Sequence, residues 1–197
     1  GMEALGDGEL GAQKWKLKGG MTRLSSCLQH DITGRGAVIR TSSVVESVSG
    51  TERIQVCLKS GHRFTCDRVV FALSPQLVAG IRFDPDLPVD RKAINNALLP
   101  GHAIKVILVF DEAFWLDSKS ACTLPFMELG PVHNLFHTQV GEKPALVGLI
   151  TGAAALACET LEKEERKRRV LDQIKVMYGV ASEPVVYLER VWGQEEF

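Results

Sequence analysis

Residues 102–115 read HAIKVILVFDEAFW, and residues 102–110 form an apolar run broken by one charge, Lys105. In a strand, alternate residues of this run point to opposite faces. One face would carry Ile104, Val106, Leu108 and Phe110, and the other Lys105, Ile107 and Val109. A run that is apolar on both faces and rich in β-branched residues is typical of a strand covered on both sides. The sequence therefore predicts a buried strand around which the chain is organised.

Lys105 needs an explanation within such a strand, because burying an unpaired ammonium group is strongly disfavoured. One interpretation is that Lys105 lies near the start of the strand and extends its apolar stem to solvent. The other is that its ammonium group reaches a partner or a cofactor, which would place it at a functional site. Residue chemistry favours the first interpretation and leaves the second open.

The composition is that of an ordinary globular protein. The 197 residues are 45% hydrophobic and 24% charged, which suits one domain or two small ones. The 23 basic and 24 acidic side chains give a net charge of −1, so no overall field favours nucleic acid or an anionic membrane. No apolar run is long enough to predict a membrane-spanning segment.

The cysteines indicate a reduced, intracellular setting. They are scattered and include no CxxC pair: Cys27, Cys57, Cys66, Cys122 and Cys158. An odd, scattered set argues against a disulfide framework or a zinc site. His133 and His137 are four residues apart, but the residues between them resemble a strand and lack the glutamate of an HExxH motif. We therefore expect a cytoplasmic protein without a metal site.

Hydrophobic periodicity predicts an α+β fold in which a mixed sheet is flanked by helices on one side. Helices are predicted from Met21 through Leu28, from Pro88 to Leu98, and from an N-cap at Thr160 to Tyr178, with Gly179 as the C-cap. Strands besides the central one are predicted at residues 38–39, 44–48, 54–58, 68–73, 124–127, 135–138, 145–150 and from 185 onward.

Two motifs that could suggest ligand sites receive other interpretations. Residues 6–11 spell GxGxxG, but the hydrophobic strand that a dinucleotide-binding turn requires does not precede them. The basic run at residues 166–169 follows several glutamates, and we interpret it as a solvated helix face rather than a nucleic-acid patch.

Six segments, taken together, resemble the flavin-dependent amine oxidases, and among them the monoamine oxidases. They are QKWKLKGG at 13–20, VVESV at 44–48, RVVFALSP at 68–75, IRFDPDLP at 81–88, GHAIKVILVF with FW at 101–115, and WGQEEF at 192–197. Each segment is a weak match, whereas six in the order of the family form a specific signal. Ser74 departs from the pattern, since the family has a proline there.

The resemblance implies roles for individual residues in a complete enzyme. Lys105 would be the catalytic residue, holding a water against the flavin N5 and assisting reoxidation by O₂. The cofactor FAD would meet Val45 through backbone groups at its adenine, Trp192 near its ring, and the turn formed by Gly19 and Gly20.

Gln13 would line the cavity for a small amine substrate. Structural alternatives accompany three of these roles: Trp192 as a core residue, Val45 as an ordinary strand residue, and Gln13 as an exposed polar group.

The resemblance also divides the chain into parts of two domains. Residues 1–17 match a segment leading into the substrate domain, residues 18–80 part of the FAD domain, and residues 81–197 the substrate domain. The chain has no strand–GxGxxG–helix unit, which in the family binds the pyrophosphate of FAD, and it lacks a second flavin-binding segment. We therefore expect a fragment or truncated relative that binds FAD weakly and is inactive alone.

The leading hypothesis is a part of an FAD-dependent amine oxidoreductase, which oxidises an amine to an imine with O₂ as the electron acceptor. The alternative is a non-catalytic module that associates with itself or with a partner through exposed apolar surface. A polyamine oxidase, an amino-acid oxidase or a histone demethylase of the same superfamily also stays open.

Overall fold

The computed structural model describes residues 15, 17–116 and 129–196. The chain forms two compact units, Gly1–Val70 with Ile81–Asp86, and Phe71–Gly80 with Leu87–Phe197. Each unit has its own four-stranded sheet, one mixed and one antiparallel, so the predicted α+β class is confirmed. The assignment of residues 1–17, 18–80 and 81–197 to parts of an FAD domain and a substrate domain stays a prediction.

The first unit combines one helix with the mixed sheet. Its elements are α1 (Met21–Gly34), β1 (Val45–Ser49), β2 (Ile54–Leu58), β3 (Arg63–Cys66) and β4 (Arg82–Asp84). The strand order is β3-β2-β1-β4, with antiparallel pairing between β1, β2 and β3 and parallel pairing of β1 with β4. The helix predicted from Met21 and the meander over residues 44–58 are both present.

Helix α1 leaves its apolar stripe exposed. The side chains of this stripe are between 40% and 68% exposed: Met21, Leu24, Leu28 and Ile32. Within the described chain, no residue of α1 is buried. The stripe is therefore accessible to solvent in the described chain.

Two strand predictions are wrong, at residues 38–39 and 68–73, where no strand forms. Val38 is 76% exposed and Val70 is 90% exposed. An apolar pattern makes a strand only where a neighbouring strand accepts its hydrogen bonds. In the mixed sheet, β1 and β2 are each already paired on both edges.

The second unit is built on the antiparallel sheet. Its strands are β5 (Ala103–Val109), β6 (Asn134–Val140), β7 (Lys143–Thr151) and β8 (Val186–Val191), in the order β6-β7-β5-β8. Its helices are α2 (Pro75–Ala79), α3 (Val89–Ala97), α4 (Gly152–Glu159) and α5 (Lys163–Tyr178), with 3₁₀ turns at Phe114–Leu116 and Trp192–Gln194. The predicted central strand and the strands near residues 135, 145 and 185 are present. The strand predicted at residues 124–127 lies outside the described residues.

One face of the antiparallel sheet carries the core. Ile104, Val106 and Leu108 of β5 are completely buried in a cluster that includes residues of α4 and α5. The helices contribute Ala155, Cys158, Val170 and Ile174 to this cluster. A Cβ on Gly148 would lie 2.8 Å from Val106 Cγ2, so the tight packing of β7 at this point requires glycine.

The helical region after β7 differs from the prediction in one respect. A separate helix, α4, was not expected, and Thr160 is its C-cap rather than the N-cap of α5. The Thr160 hydroxyl donates to the Ala157 carbonyl at 2.9 Å, and α5 begins after Glu162. The predicted C-cap at Gly179 is confirmed, with a φ of 71°.

The interpretation of residues 166–169 as a solvated helix face is wrong for Arg166. Its guanidinium Nη2 lies 2.5 Å from Glu189 Oε1, and each of the two side chains is only 7% exposed. Arg166 also donates to the carbonyl oxygens of Leu161 and Cys158, and the Tyr187 hydroxyl donates to Glu189 Oε2 at 3.0 Å. The hydrogen bonds to Glu189 raise the pKa of Arg166. Burial raises the pKa of Tyr187.

The last two residues of the basic run agree with the interpretation. Arg168 and Arg169 are exposed and bind the carboxylate of Glu165 at 2.7–2.8 Å. Their hydrogen bonds, first that of Arg168, lower the pKa of Glu165 to about 2. In the part of the chain that the structure describes, no helix is long and apolar enough to cross a membrane.

Candidate functional site

Strand β5 is covered by helices on one face only. Lys105 pairs with Leu149 of β7 and with Arg190 of β8, and its side chain is exposed. Ile107, two residues on, is only half-buried. The prediction of a strand covered on both sides is therefore wrong at Lys105, because α4 and α5 pack against the opposite face. It holds at the end of β5, where Val109 lies on the same face as Lys105 and is only 4% exposed. Lys105 reaches solvent, as the first interpretation of its position supposed.

The uncovered side, which we call the open face, is mostly apolar around Lys105. The cross-strand register places on it Ile107, Phe136, Val147, Leu149 and Leu188. Phe136 is 47% exposed and Leu188 is 52% exposed, so this surface is accessible rather than part of the core. An apolar surface with an ammonium donor at its centre can contact a flat ligand and donate hydrogen bonds to it.

Arg190 would place a second positive charge beside Lys105, since directly opposite residues share a face of the sheet. The Arg190 guanidinium Nη1 instead forms an ion pair with Glu195 Oε1 at 2.7 Å. Within the described chain, no carboxylate is found paired with Lys105. Lys105 is therefore the cation that this part of the open face offers to a ligand.

Trp192 follows directly after strand β8, which borders β5 in the sheet. It directly follows Val191, whose strand partner is Ile104, and it begins the 3₁₀ turn at Trp192–Gln194. Its side chain is 55% exposed, so the alternative of a core tryptophan is wrong. The pairing of β5 with β8 thus brings the segments that carry Lys105 and Trp192 together.

The other predicted site residues lie elsewhere. Gly19 and Gly20 have φ values of 91° and 78° and form the turn before α1, where Gly20 is the N-cap. Val45 is half-buried in β1 opposite Leu58. These three residues belong to the first unit, whereas Lys105 and Trp192 belong to the second. Gln13 lies outside the described residues, and the roles of all these residues stay predictions.

Sequence reasoning missed Arg190 and Glu195. The alternation of residues 186–191 was the available signal for Arg190, because it places Val186, Leu188 and Arg190 on one face of a strand. Once β8 is paired with β5, Arg190 falls beside Lys105. The register itself could not be read from the sequence.

Two other features do not add to this site. A cavity of about 400 Å³ lies among residues of α4 and α5, with Cys158 in its lining. Burial raises the pKa of the Cys158 thiol, which keeps the thiol protonated. Among the described residues, no group of three or more His, Cys, Asp or Glu side chains could hold a metal ion.

The sequence model of one family, described as flavin containing amine oxidoreductase, matches residues 4–197 of the chain. The chain belongs to this family. Its resemblance to the flavin-dependent amine oxidases is thereby confirmed. Flavin containing amine oxidase A of Sus scrofa is 30% identical over 192 residues, which are 95% of this chain and 36% of the relative. Polyamine oxidase 3 of Oryza sativa subsp. japonica is 31% identical over 156 residues, which are 78% of this chain and 32% of the relative.

Solved structures of flavin amine oxidases share the fold. Wild-type putrescine oxidase bound to putrescine superposes with a TM-score of 0.76 at 27% identity, covering 90% of this chain and 40% of that protein. The chain spans 41% of the length of a probable flavin-containing monoamine oxidase A of Dictyostelium discoideum and 36% of the length of the Sus scrofa relative. These likenesses favour a part of an amine oxidoreductase over the alternative of a non-catalytic module.

Proposed function

We propose that this chain supplies the amine-facing side of a flavin-dependent amine oxidase, which oxidises a small amine to an imine. The observation that carries the proposal is the exposed Lys105 at the centre of the open face. The likeness to a putrescine oxidase bound to putrescine supports a small amine as the substrate class.

The chemistry of the open face fits one side of a flavin ring. The ring is flat and largely apolar, with polar atoms that accept hydrogen bonds, and the open face offers apolar side chains and the Lys105 ammonium. Lys105 and Trp192, both in the second unit, would contact the ring of FAD. The cofactor contacts of Val45, Gly19 and Gly20 in the first unit stay predictions from the resemblance. When bound, FAD supplies the redox chemistry, accepting two electrons and a proton from the amine and passing electrons to O₂.

The chain's own contribution is orientation and a positive charge. With FAD bound, the Lys105 Nζ would donate a hydrogen bond to a water that faces the cofactor, and its charge would favour the reduction of O₂ nearby. Glu195 supports this role, because it neutralises Arg190 and leaves Lys105 as the cation facing the ligand. Once covered by the cofactor, the apolar residues around Lys105 would exclude bulk water and would accept the uncharged form of an amine.

The test is the visible absorbance spectrum of the purified chain, before and after addition of FAD and passage through a gel-filtration column. Flavin bands that elute with the protein are expected if the described residues contribute a cofactor surface. The absence of bands at millimolar FAD would show that this chain does not hold flavin by itself. If flavin bands are retained, a Lys105→Met variant shows whether Lys105 acts in flavin binding or in the reaction with O₂. Loss of the bands would indicate binding, and retained bands with slower reoxidation would indicate oxygen chemistry.

We also propose that the chain associates with itself and that it is located inside the cell. The exposed stripe of α1 supports the first, since apolar side chains on a free helix face favour association. The free thiols of Cys27, Cys57, Cys66 and Cys158 support the second.

A further inference from the structure

Glu159, the last residue of α4, holds its carboxylate in an unusual place. The side chain is only 13% exposed, and its Oε2 lies 3.0 Å from His102 Nδ1, just before β5. Its Oε1 is buried and has no hydrogen-bond partner among the described residues. A buried carboxylate oxygen without a donor costs free energy.

The backbone of Gly193 lies next to Glu159 Oε1. A Cβ at position 193 would lie 2.5 Å from Glu159 Oε1 and 2.7 Å from Oε2, so a side chain there would displace the Glu159 carboxylate. The hydrogen atom that glycine carries in this direction points at the carboxylate, and such Cα–H···O contacts are weakly attractive. The carboxylate of Glu159 is therefore seated directly on the backbone of the Trp192–Gln194 turn.

Further hydrogen bonds connect the same parts of the chain. The Gln194 side-chain Nε2 donates to the Glu159 carbonyl at 3.4 Å. The Gly152 amide, where α4 begins, donates to the His102 carbonyl at 3.0 Å. On the other side of the turn, Glu195 binds Arg190. The turn is thus fixed between α4 and β8, directly beside Trp192.

We propose that Glu159 is a positioning residue for Trp192. His102, Glu159 and Gly193, which we call the Glu159 brace, set the path of the turn and with it the direction of the Trp192 side chain. The proposal extends the proposed function, because Trp192 is the side chain assigned to the flavin ring. Its geometry involves no cofactor, so it can be tested without flavin.

The experiment labels the full chain with 5-fluorotryptophan and records ¹⁹F NMR spectra in the absence of FAD. The chain has three tryptophans, Trp15, Trp115 and Trp192, and a Trp192→Phe variant assigns the Trp192 resonance. We expect both Glu159→Ala and Gly193→Ala to displace or split this resonance while the other two stay in place. Glu164→Ala, an exposed glutamate at the start of α5, is the matched control and should leave all three unchanged.

A double variant distinguishes positioning from general stabilisation. In Glu159→Ala the carboxylate is gone, so the methyl group of Gly193→Ala has room, and the second change should add little to the first. Additive displacements, or a Trp192 resonance that does not move in either single variant, would overturn the proposal. His102→Ala, at a half-exposed position, provides a milder loss of the same contact if Glu159→Ala unfolds. A failure of the chain to bind FAD would count against the proposed function and leave this result untouched.

Discussion

Lys105 and Arg190 are directly opposite residues on adjacent strands, but in the described chain only Arg190 is found with a carboxylate partner, Glu195 at 2.7 Å. Two like charges in directly opposed positions destabilise a sheet, and the ion pair with Glu195 removes one of them. The part of the open face around Lys105 therefore presents an ammonium group among apolar side chains. This arrangement suits a ligand that has a flat apolar body and accepts a hydrogen bond.

Replacement of Lys105 by methionine should affect chemistry and leave the fold intact. The side chain is exposed, so we expect the free energy of unfolding to change by no more than about 0.5 kcal/mol. Reoxidation by O₂ of flavin retained by the chain should slow about tenfold or more, measured by stopped-flow absorbance. Lys143→Met is the control, because Lys143 is exposed in the same sheet and binds Asp111 at its edge. Equal rates in the two variants would rule out the role assigned to Lys105.

Replacement of Arg166 by methionine should destabilise the second unit strongly. It leaves the buried carboxylate of Glu189 without its partner, a loss of about 3–5 kcal/mol in urea unfolding. The double variant Arg166→Met with Glu189→Leu should be more stable than Arg166→Met alone, because no buried charge remains. The exposed Arg168→Met serves as control. If Arg166→Met is tolerated as well as Arg168→Met, the pair is not buried in solution.

Glu165 should titrate far below an ordinary glutamate. Hydrogen bonds from Arg168 and Arg169 lower its pKa from 4.5 to about 2 in the folded chain. Because the folded pKa is the lower one, the stabilisation is complete above pH 4.5 and is lost as the pH falls toward 2. The carboxyl ¹³C shift of Glu165, followed by NMR, should show the low midpoint. Arg168→Gln should move the midpoint back toward 4.5, and an ordinary midpoint in the unmodified chain would contradict the prediction.

Charged residues in the stripe of α1 should reduce self-association. Leu24 and Leu28 are 45% and 55% exposed, so Leu24→Lys with Leu28→Lys removes apolar contact area at little cost to the fold. Sedimentation velocity over a range of concentrations should show a shift toward monomer. Ser26→Lys with His30→Lys places the same residues on the opposite side of α1 and should change little. An unmodified chain that is monomeric at every concentration would exclude the proposed association.

A strand could be predicted from sequence where its own apolar pattern is enough to identify it. The prediction failed where strand formation depends on a neighbouring strand to pair with. The apolar run of β5 identifies it from sequence alone, but residues 68–73 carry an equally apolar pattern and form no strand. Helix α4 was missed because its sequence, GAAALACE, has little amphipathic contrast. Its alanines, which have the highest helix propensity, were the available signal.

The candidate site depended on pairing that the sequence does not contain. Lys105 was singled out from its position in an apolar run, and the resemblance to a family gave it a role. The neighbours Arg190 and Glu195 follow only from the register of β5 with β8. Likewise, the buried pair of Arg166 with Glu189 joins residues 23 positions apart in the sequence. The local charge pattern instead indicated that Arg166 belongs to a solvated helix face.

The two faces of β5 differ in the amino-acid substitutions that they can tolerate. At residues 104, 106 and 108, a substitution must preserve volume, because helices close over them. At residues 105 and 107, a substitution alters only what the protein presents to a ligand. A saturation library across β5 would therefore show low tolerance at residues 104, 106, 108 and 109, which are buried, and higher tolerance at residues 105 and 107. Ligand preference could be re-engineered at residues 105 and 107 without repacking the interior.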